Sequence, residues 1–332
     1  MRVLVTGGAG YIGSITTRQL LDAGHEVTVF DNLENGHLEA VDRRADFVRG
    51  DLRASGDIER AIREARPEAV VHFAAYAYVG ESMADPVGYY GNNVGGAIAL
   101  LEAMTKADVR RIVFSSSCAT YGDPERSPIV EDTAKRPTNP YGETKLAVER
   151  LLGWLRQTQG LEPVLLRYFN AAGASGDLGE DHDPETHLIP LALSVALGQR
   201  ESLQLFGDDY DTPDGTCVRD YVHVDDLARA HVMALSSERL GAFNLGTGRG
   251  HSVREVVETA VAVSQTRIST EIKPRRMGDP AILIADPAKA NRLLGWEARS
   301  PDLQTIIADA WQWHSRFPQG YASAPGVDWR AP

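Results

Sequence analysis

At 332 residues the chain is long enough for two modest domains or for one large α/β domain with an elaborated end. Its formal charge of −12 argues against a general surface for nucleic acid or anionic membrane, because such binding rests on clustered Lys and Arg. Cys118 and Cys217 are the only cysteines, too few for a disulfide framework and without metal-type spacing, and no apolar run approaches the roughly 20 residues of a membrane span. The first strand starts at Arg2, which leaves no room for a cleaved leader, so a reducing cytoplasm is the expected compartment.

Arg2–Thr6 reads as a short apolar strand that runs into Gly7-Gly-Ala-Gly10-Tyr-Ile-Gly13 and then a helix from about Ser14 to Ala23. A dinucleotide pyrophosphate requires this order: Gly7, Gly10 and Gly13 let backbone N–H groups approach the phosphates, and the helix N-terminus offers uncompensated donors. The next strand, Glu26–Phe30, ends in Asp31, eighteen residues after Gly13 and placed to accept hydrogen bonds from an adenosine ribose. A carboxylate there repels a 2′-phosphate, which predicts NAD over NADP. Strand Asp46–Arg49 leads to Asp51, expected beside the adenine; a helix covers about Asp57–Ala65 and Ala69–Phe73 is a buried strand.

A long helix is expected over Asp85–Lys106, with Asn92 and Asn93 on its solvent side, followed by the strand Arg111–Ser115. Ser115 and Ser116 are expected to end that strand and bond backbone. Asn139 is a good N-cap and Pro140 suits the first helical position, so a helix from Pro140 to about Gln157 sets Tyr141 and Lys145 one turn apart on one face. Lowering a phenol from about 10 to about 7 needs roughly 4 kcal/mol, which one ammonium about 4 Å away supplies at an effective dielectric near 20. Strand Val164–Phe169 completes six or more parallel strands over residues 1–170, a doubly wound, Rossmann-type α/β sheet. Ligands of such sheets bind at the carboxyl ends of the strands, where Gly7–Gly13, Asp31, Asp51, Phe73–Ala75, Ser115–Ser117 and Asn170 all fall.

Residues 171–332 form a smaller, more irregular α/β domain expected to bind substrate, with parts of 222–247 packing back on the first. Short elements are expected near Leu188–Leu197, Ser202–Phe206, Asp225–Leu235, Ala242–Leu245, Val253–Val263 and Asp302–Arg316. His182 and His187 have no third ligand at convincing spacing, so no metal is expected. The last dozen residues, rich in Pro, Gly and Ala, are expected to form a loosely attached tail.

With the glycine loop, Ser115-Ser-Ser117 before Tyr121-Gly122, and Tyr141-x-x-x-Lys145 in order, the chain resembles the extended short-chain dehydrogenase/reductases, and within them the UDP-glucose (UDP-galactose) 4-epimerase family. The blocks Thr6–Ser14, Val79-Gly-Glu-Ser82, Tyr89–Val94, Leu166–Gly173 and Val218-Arg-Asp-Tyr-Val-His-Val224 carry that resemblance over almost the whole chain. It implies that Tyr141 exchanges a proton with the sugar 4-hydroxyl while C4 exchanges a hydride with resident NAD. It further implies that Lys145 lowers the tyrosine pKa and binds the nicotinamide ribose, and that Ser117 hydrogen-bonds the reacting oxygen.

For the cofactor the resemblance implies contacts from Tyr11, Ile12, Asn32, Asn35, Gly36, Leu52, Phe73, Ala74, Ala75, Asn92, Ser115 and Phe169. For UDP-glucose or UDP-galactose it implies Asn170, His187, Leu188 and a uracil site at Gln204, Leu205 and Phe206. Arg219, Tyr221, Arg276 and Asp279 follow, two arginines for a pyrophosphate and an acid for ribose hydroxyls. Leu283, four residues after the acid of Arg276-Met-Gly-Asp279, borders the sugar 2-substituent in this family and predicts a preference for non-acetylated sugars. A homodimer through the helices of Asp85–Lys106 and Pro140–Gln157 is also implied.

The sequence departs from the family at Ala77, where many members carry a lysine near the nicotinamide, and at His187, where some have asparagine. Two other functions remain in play: a related nucleotide-sugar epimerase or 4,6-dehydratase, and a non-catalytic NAD-binding regulator. The dehydratase needs an acid and a base directly after the serine, and this chain has Cys118-Ala119 there.

Overall fold

The computed structural model describes residues 1–276 and 279–323. Its centre is a seven-stranded sheet in the order Gly241–Leu245, Glu162–Tyr168, Arg111–Ser117, Ala69–His72, Arg2–Thr6, Glu26–Asp31, Asp46–Arg49. Every neighbouring pair is parallel, Val3 standing between Val27 on one side and Ala69 on the other. Strand order reverses between Arg2–Thr6 and Ala69–His72, so the crevice of this doubly wound sheet opens there.

Both faces are dry. Helices Tyr11–Asp22 and Val224–Leu235 cover one, packing Leu20, Leu227, Ala230 and Ala234 onto Val3, Val5, Val27 and Val113. Helices Ser55–Ala65, Gly96–Lys106 and Pro140–Gln159 cover the other with Ile58, Ile62, Leu100, Met104 and Leu152. Burial on both sides explains why these strands are Val-, Leu- and Ile-rich rather than alternating. A second core joins helices Leu188–Ala196, Val253–Ser264 and Leu303–Arg316 over the parallel pair Leu203–Phe206 and Thr270–Lys273.

Three features differ from expectation. The long helix is broken into Val79–Ala84, Pro86–Tyr89, a π-helical turn at Tyr90–Gly95, and Gly96–Lys106. Glycines at 88, 91, 95 and 96 weaken a regular helix. The extra residue of the π turn points Asn93 inward rather than to solvent, where it bonds Tyr76 through its own amide and carbonyl and donates to Thr144 Oγ1 at 3.0 Å. Strand Arg111–Ser117 runs two residues beyond Ser115, because Ser116 and Ser117 pair with Arg167 and Tyr168. The expected loose tail lies mostly outside the described residues. Its first residues instead form a 3-10 turn, Gly320–Ser323, with Tyr321 buried against Trp313 and His37.

Candidate active site

The glycine loop is folded by close backbone approach. Gly7 has φ +74°, and a Cβ there would meet Ala74 N at 2.5 Å; a Cβ on Gly13 would meet Gly7 O at 2.1 Å. Both positions therefore exclude any other residue. Gly10 differs: its only close neighbour is Gly7 O at 3.4 Å, on the side that opens into the cleft, and it caps Tyr11–Asp22 with no side-chain hydrogen bond. A helix N-terminus left uncapped behind a residue without a side chain fits a pyrophosphate. Asp31, buried at the end of its strand, accepts from Ala9 N at 3.0 Å and Leu33 N at 2.9 Å, so one carboxylate both fixes the loop and faces the adenosine end. Burial raises its pKa while these N–H bonds oppose the rise. The residues present thus fit NAD.

Beyond Asp31, Asn32 donates to Asp51 at 3.1 Å, and Arg53 hydrogen-bonds Asp51 and holds it down at about 2. Arg53 also reaches Glu34 Oε2 and Tyr76 OH, each at 2.8 Å, while Tyr76 OH donates to Glu34 Oε1 at 2.8 Å. Three successive βα turns are tied together at the adenosine end. Sequence reasoning missed Glu34, Arg53 and Tyr76. Their only local signal is their position just past strand ends.

At the other end, Asn139 caps its helix by accepting from Gly142 N at 2.9 Å, and this fixes where Tyr141 starts. Lys145 Nζ lies 5.8 Å from the Tyr141 ring centroid and 5.2 Å from that of Phe114, and donates to Ser115 O at 2.9 Å. Ser117 accepts from Ala119 N at 3.1 Å, and its hydroxyl acts on the Tyr141 phenol so as to lower its pKa. Burial raises the phenol well above its ordinary value, Tyr168 adds to the rise and Ser117 opposes it. Burial also lowers Lys145 to about 7, against a pull upward from Glu149. Among these side chains alone burial dominates, and the phenol is raised rather than lowered.

Ser115 and Ser116 do not bond backbone as expected. Ser115 Oγ pairs with Tyr168 OH, and Ser116 Oγ donates to Glu149 Oε1 at 2.5 Å. Glu149 also receives both arms of Arg167, at 2.8 and 2.5 Å. A buried bidentate pair thus stands one turn behind Lys145.

One cleft of about 1140 Å³ runs from Gly7 to Leu283. It is lined by the expected cofactor residues Gly7, Gly10, Tyr11, Ile12, Gly13, Asp31, Asn32, Asn35, Gly36, Asp51, Leu52, Phe73, Ala74, Ala75, Asn92 and Phe169. Ser117 and Tyr141 stand at its middle, and Asn170, His187, Leu188, Gln204, Leu205, Phe206, Arg219, Tyr221, Arg276, Asp279 and Leu283 line the far end. Ser115 and Lys145 sit behind the wall, Lys145 buried beneath the tyrosine. At the far end Arg219 pairs with Asp279, and Arg276 lies 4.0 Å over the Phe206 ring. Met277 and Gly278 of that block lie outside the described residues. Leu283 belongs to the short strand Ile282–Leu283, beside Arg219 in register. Ala77 lines the cleft between Tyr76 and Tyr78, two aromatics whose place there sequence reasoning did not foresee.

Residues 3–246 match the family model described as the NAD dependent epimerase/dehydratase family. The chain is 51% identical over 329 residues to a UDP-glucose 4-epimerase of Halalkalibacterium halodurans, covering 97% of this chain and 98% of the relative. Its fold superposes on a crystal structure of UDP-glucose 4-epimerase from Brucella ovis in complex with NAD, at TM-score 0.90 and 51% identity, covering 93% of this chain and 97% of that one. It superposes equally on the Bifidobacterium longum UDP-glucose 4-epimerase in complex with NAD⁺ and UDP, at TM-score 0.92 and 41% identity, over 96% of this chain and 99% of that one.

Proposed function

The chain belongs to the NAD dependent epimerase/dehydratase family, and from that premise we infer that it is an NAD-dependent isomerase that interconverts UDP-galactose and UDP-glucose through a 4-keto intermediate. The observation that carries this is the placing of Ser117 and Tyr141 at the middle of one cleft, between a dinucleotide cradle and a lobe with two arginines.

In this reading Tyr141 holds and moves the proton of the sugar 4-hydroxyl, and Ser117 keeps the reacting oxygen and the phenol in line. Lys145 acts from behind, its Nζ fixed by Ser115 O under the tyrosine ring, and would hold the nicotinamide ribose when NAD is bound. NAD, when bound, supplies a positive nicotinamide ring and reversible hydride exchange with C4. Arg219, Arg276 and Asp279 hold the diphosphate and ribose, with Gln204–Phe206 at the uracil, while the sugar turns to present its opposite face. No net redox occurs, so the cofactor stays bound through every turnover.

Cys118 speaks against a dehydratase. Burial raises its thiol to about 12, and Ala119 beside it has no functional group, so neither supplies the acid or base that elimination requires.

The functional division we propose is residues 1–170 for the cofactor and 171–332 mainly for the substrate, with part of 222–247 returned to the first. The pairing of Gly241–Leu245 with Glu162–Tyr168 supports that return. We also propose a homodimer through the helices between Val79 and Lys106 and the helix Pro140–Gln159, where Val87 is 81% and Trp154 64% exposed. No described helix is long and apolar enough to cross a membrane. Together with two buried free thiols this supports a cytoplasmic enzyme.

The test is to mix purified protein with UDP-galactose and no added NAD. UDP-glucose should form, and denaturation should release roughly one NAD per chain, as an enzyme that must regain its own hydride requires. Protein that makes no UDP-glucose, with or without added NAD, refutes the assignment.

A further inference from the structure

Residues 180–187, just ahead of helix Leu188–Ala196, turn four donor side chains toward one point. One ligand atom from each of Glu180, His182, Glu185 and His187 lies within 4.8 Å of all the others. His187 Nδ1 stands 2.8 Å from Glu180 Oε1 and 3.1 Å from Glu185 Oε1. His182 Nδ1 stands 3.4 Å from the same Glu180 oxygen and 3.7 Å from Glu185 Oε2. Four donors about 2.1 Å from a central tetrahedral ion are about 3.4 Å from one another, and the observed edges bracket that length.

Hydrogen bonding within the loop accounts for only part of this convergence: Glu185 Oε1 accepts from His187 N at 2.7 Å and faces His187 Nδ1 at 3.1 Å, while His182 is left out. An imidazole nitrogen carries at most one hydrogen, yet each Nδ1 faces two carboxylates. His182 Nδ1 is fully buried and has no hydrogen-bond partner among the described residues. Glu180 is only 5% exposed, and a second carboxylate stands beside it. Two carboxylates gathered away from water favour a positive charge between them, supplied by an imidazolium at His187 or in full by a cation. A divalent cation would neutralise both carboxylates and satisfy both imidazole lone pairs.

We propose that Glu180, His182, Glu185 and His187 form a closed, four-donor site for a divalent transition cation, zinc before others. Two nitrogens and two carboxylate oxygens suit zinc, with cobalt as its spectroscopic stand-in. Four protein donors leave no open position, so the ion's role is structural. It would pin the loop that delivers His187 and Leu188 to the cleft wall, facing Tyr78, whose ring centroid is 5.7 Å from that of His182 and 6.1 Å from that of His187. The pattern Glu-x-His-x-x-Glu-x-His is visible in the sequence, but only the fold shows that the two glutamates point where the histidines do.

The protein is expressed in zinc-supplemented medium, dialysed against metal-free buffer and analysed by atomic emission; separately, zinc-depleted protein is titrated with cobalt chloride. The expected result is roughly one zinc per chain, intense visible bands of tetrahedral cobalt, and loss of both in His182→Ala/Glu185→Gln. Far-UV circular dichroism and NAD content check that the double variant is folded. Two results overturn the proposal: zinc retained equally by the folded double variant, which marks an adventitious ion on other histidines, or wild-type protein that retains no zinc and gives only weak octahedral cobalt absorption. That wild-type spectrum decides the matter even if the variant fails to fold. No substrate enters either measurement, so a negative result leaves the epimerase assignment standing.

Discussion

At the scale of single residues, the site turns on a buried phenol and a buried amine that each pull toward neutrality. Tyr141→Phe keeps the ring and its packing but removes the proton carrier, so epimerisation should fall by about 10²–10⁴-fold while NAD content and UDP binding persist. A loss below about tenfold, measured on UDP-galactose, would assign the proton to another group. Leu283 makes a second prediction. It is 9% exposed, on a strand paired with Arg219, so its side chain is held in place at the cleft wall. A branched aliphatic there should favour UDP-galactose over its N-acetylated counterpart by about 10-fold or more in kcat/KM, and Leu283→Ser should narrow the gap. Equal use of both sugars by the native enzyme, or no change in the serine variant, would show that Leu283 is not the gate. Tyr141 and Lys145 were legible in the sequence because the helix period sets them on one face, whereas Ser117 came from the family resemblance, its strand being expected to end at Ser115. Glu34, Arg53 and Tyr76 were not, because their contacts join three turns far apart along the chain.

At the scale of elements, glycine turns, caps and apolar strands were readable to within a few residues, since each is decided by its own neighbours. The broken helix was not. Its π turn is held by Asn93 reaching Tyr76 and Thr144, 17 and 51 residues away, and no local propensity encodes such distant partners. The same stretch presents the exposed apolar side chains Met83, Val87 and Tyr90, and the capped helix Pro140–Gln159 presents Trp154. If that surface is the dimer contact, light scattering at micromolar concentration should give twice the chain mass, and Trp154→Glu should reduce it to one. A native monomer would refute this assembly.

At the scale of the whole molecule, two fully buried histidines set a limit on acid stability. Burial lowers His72 to about 3 and His231 to about 4; His72 is also within hydrogen-bond reach of Thr6 Oγ1, and His231 of Leu227 O. Both are neutral when folded, whereas the unfolded chain takes up their protons below about 6.5. The stability they hold above pH 6.5 is therefore lost as the pH falls toward 4, at about 2 kcal/mol each by pH 5. Urea midpoints at pH 7 and pH 5 should differ by about 4 kcal/mol in unfolding free energy, and His231→Gln should remove about half of the difference. A difference below about 1 kcal/mol would mean that these rings are protonated in the folded state.

The seventh strand has a consequence for how the chain can be divided. Gly241–Leu245 covers the edge of Glu162–Tyr168, and helix Val224–Leu235 seals the same face. A fragment ending at residue 170 would expose a row of unpaired amides and carbonyls along a Val- and Leu-rich edge, a template for intermolecular pairing. The chain beyond residue 170 is thus threaded back through the large sheet rather than appended to it. Neither half is a module that recombination could exchange by a single crossover.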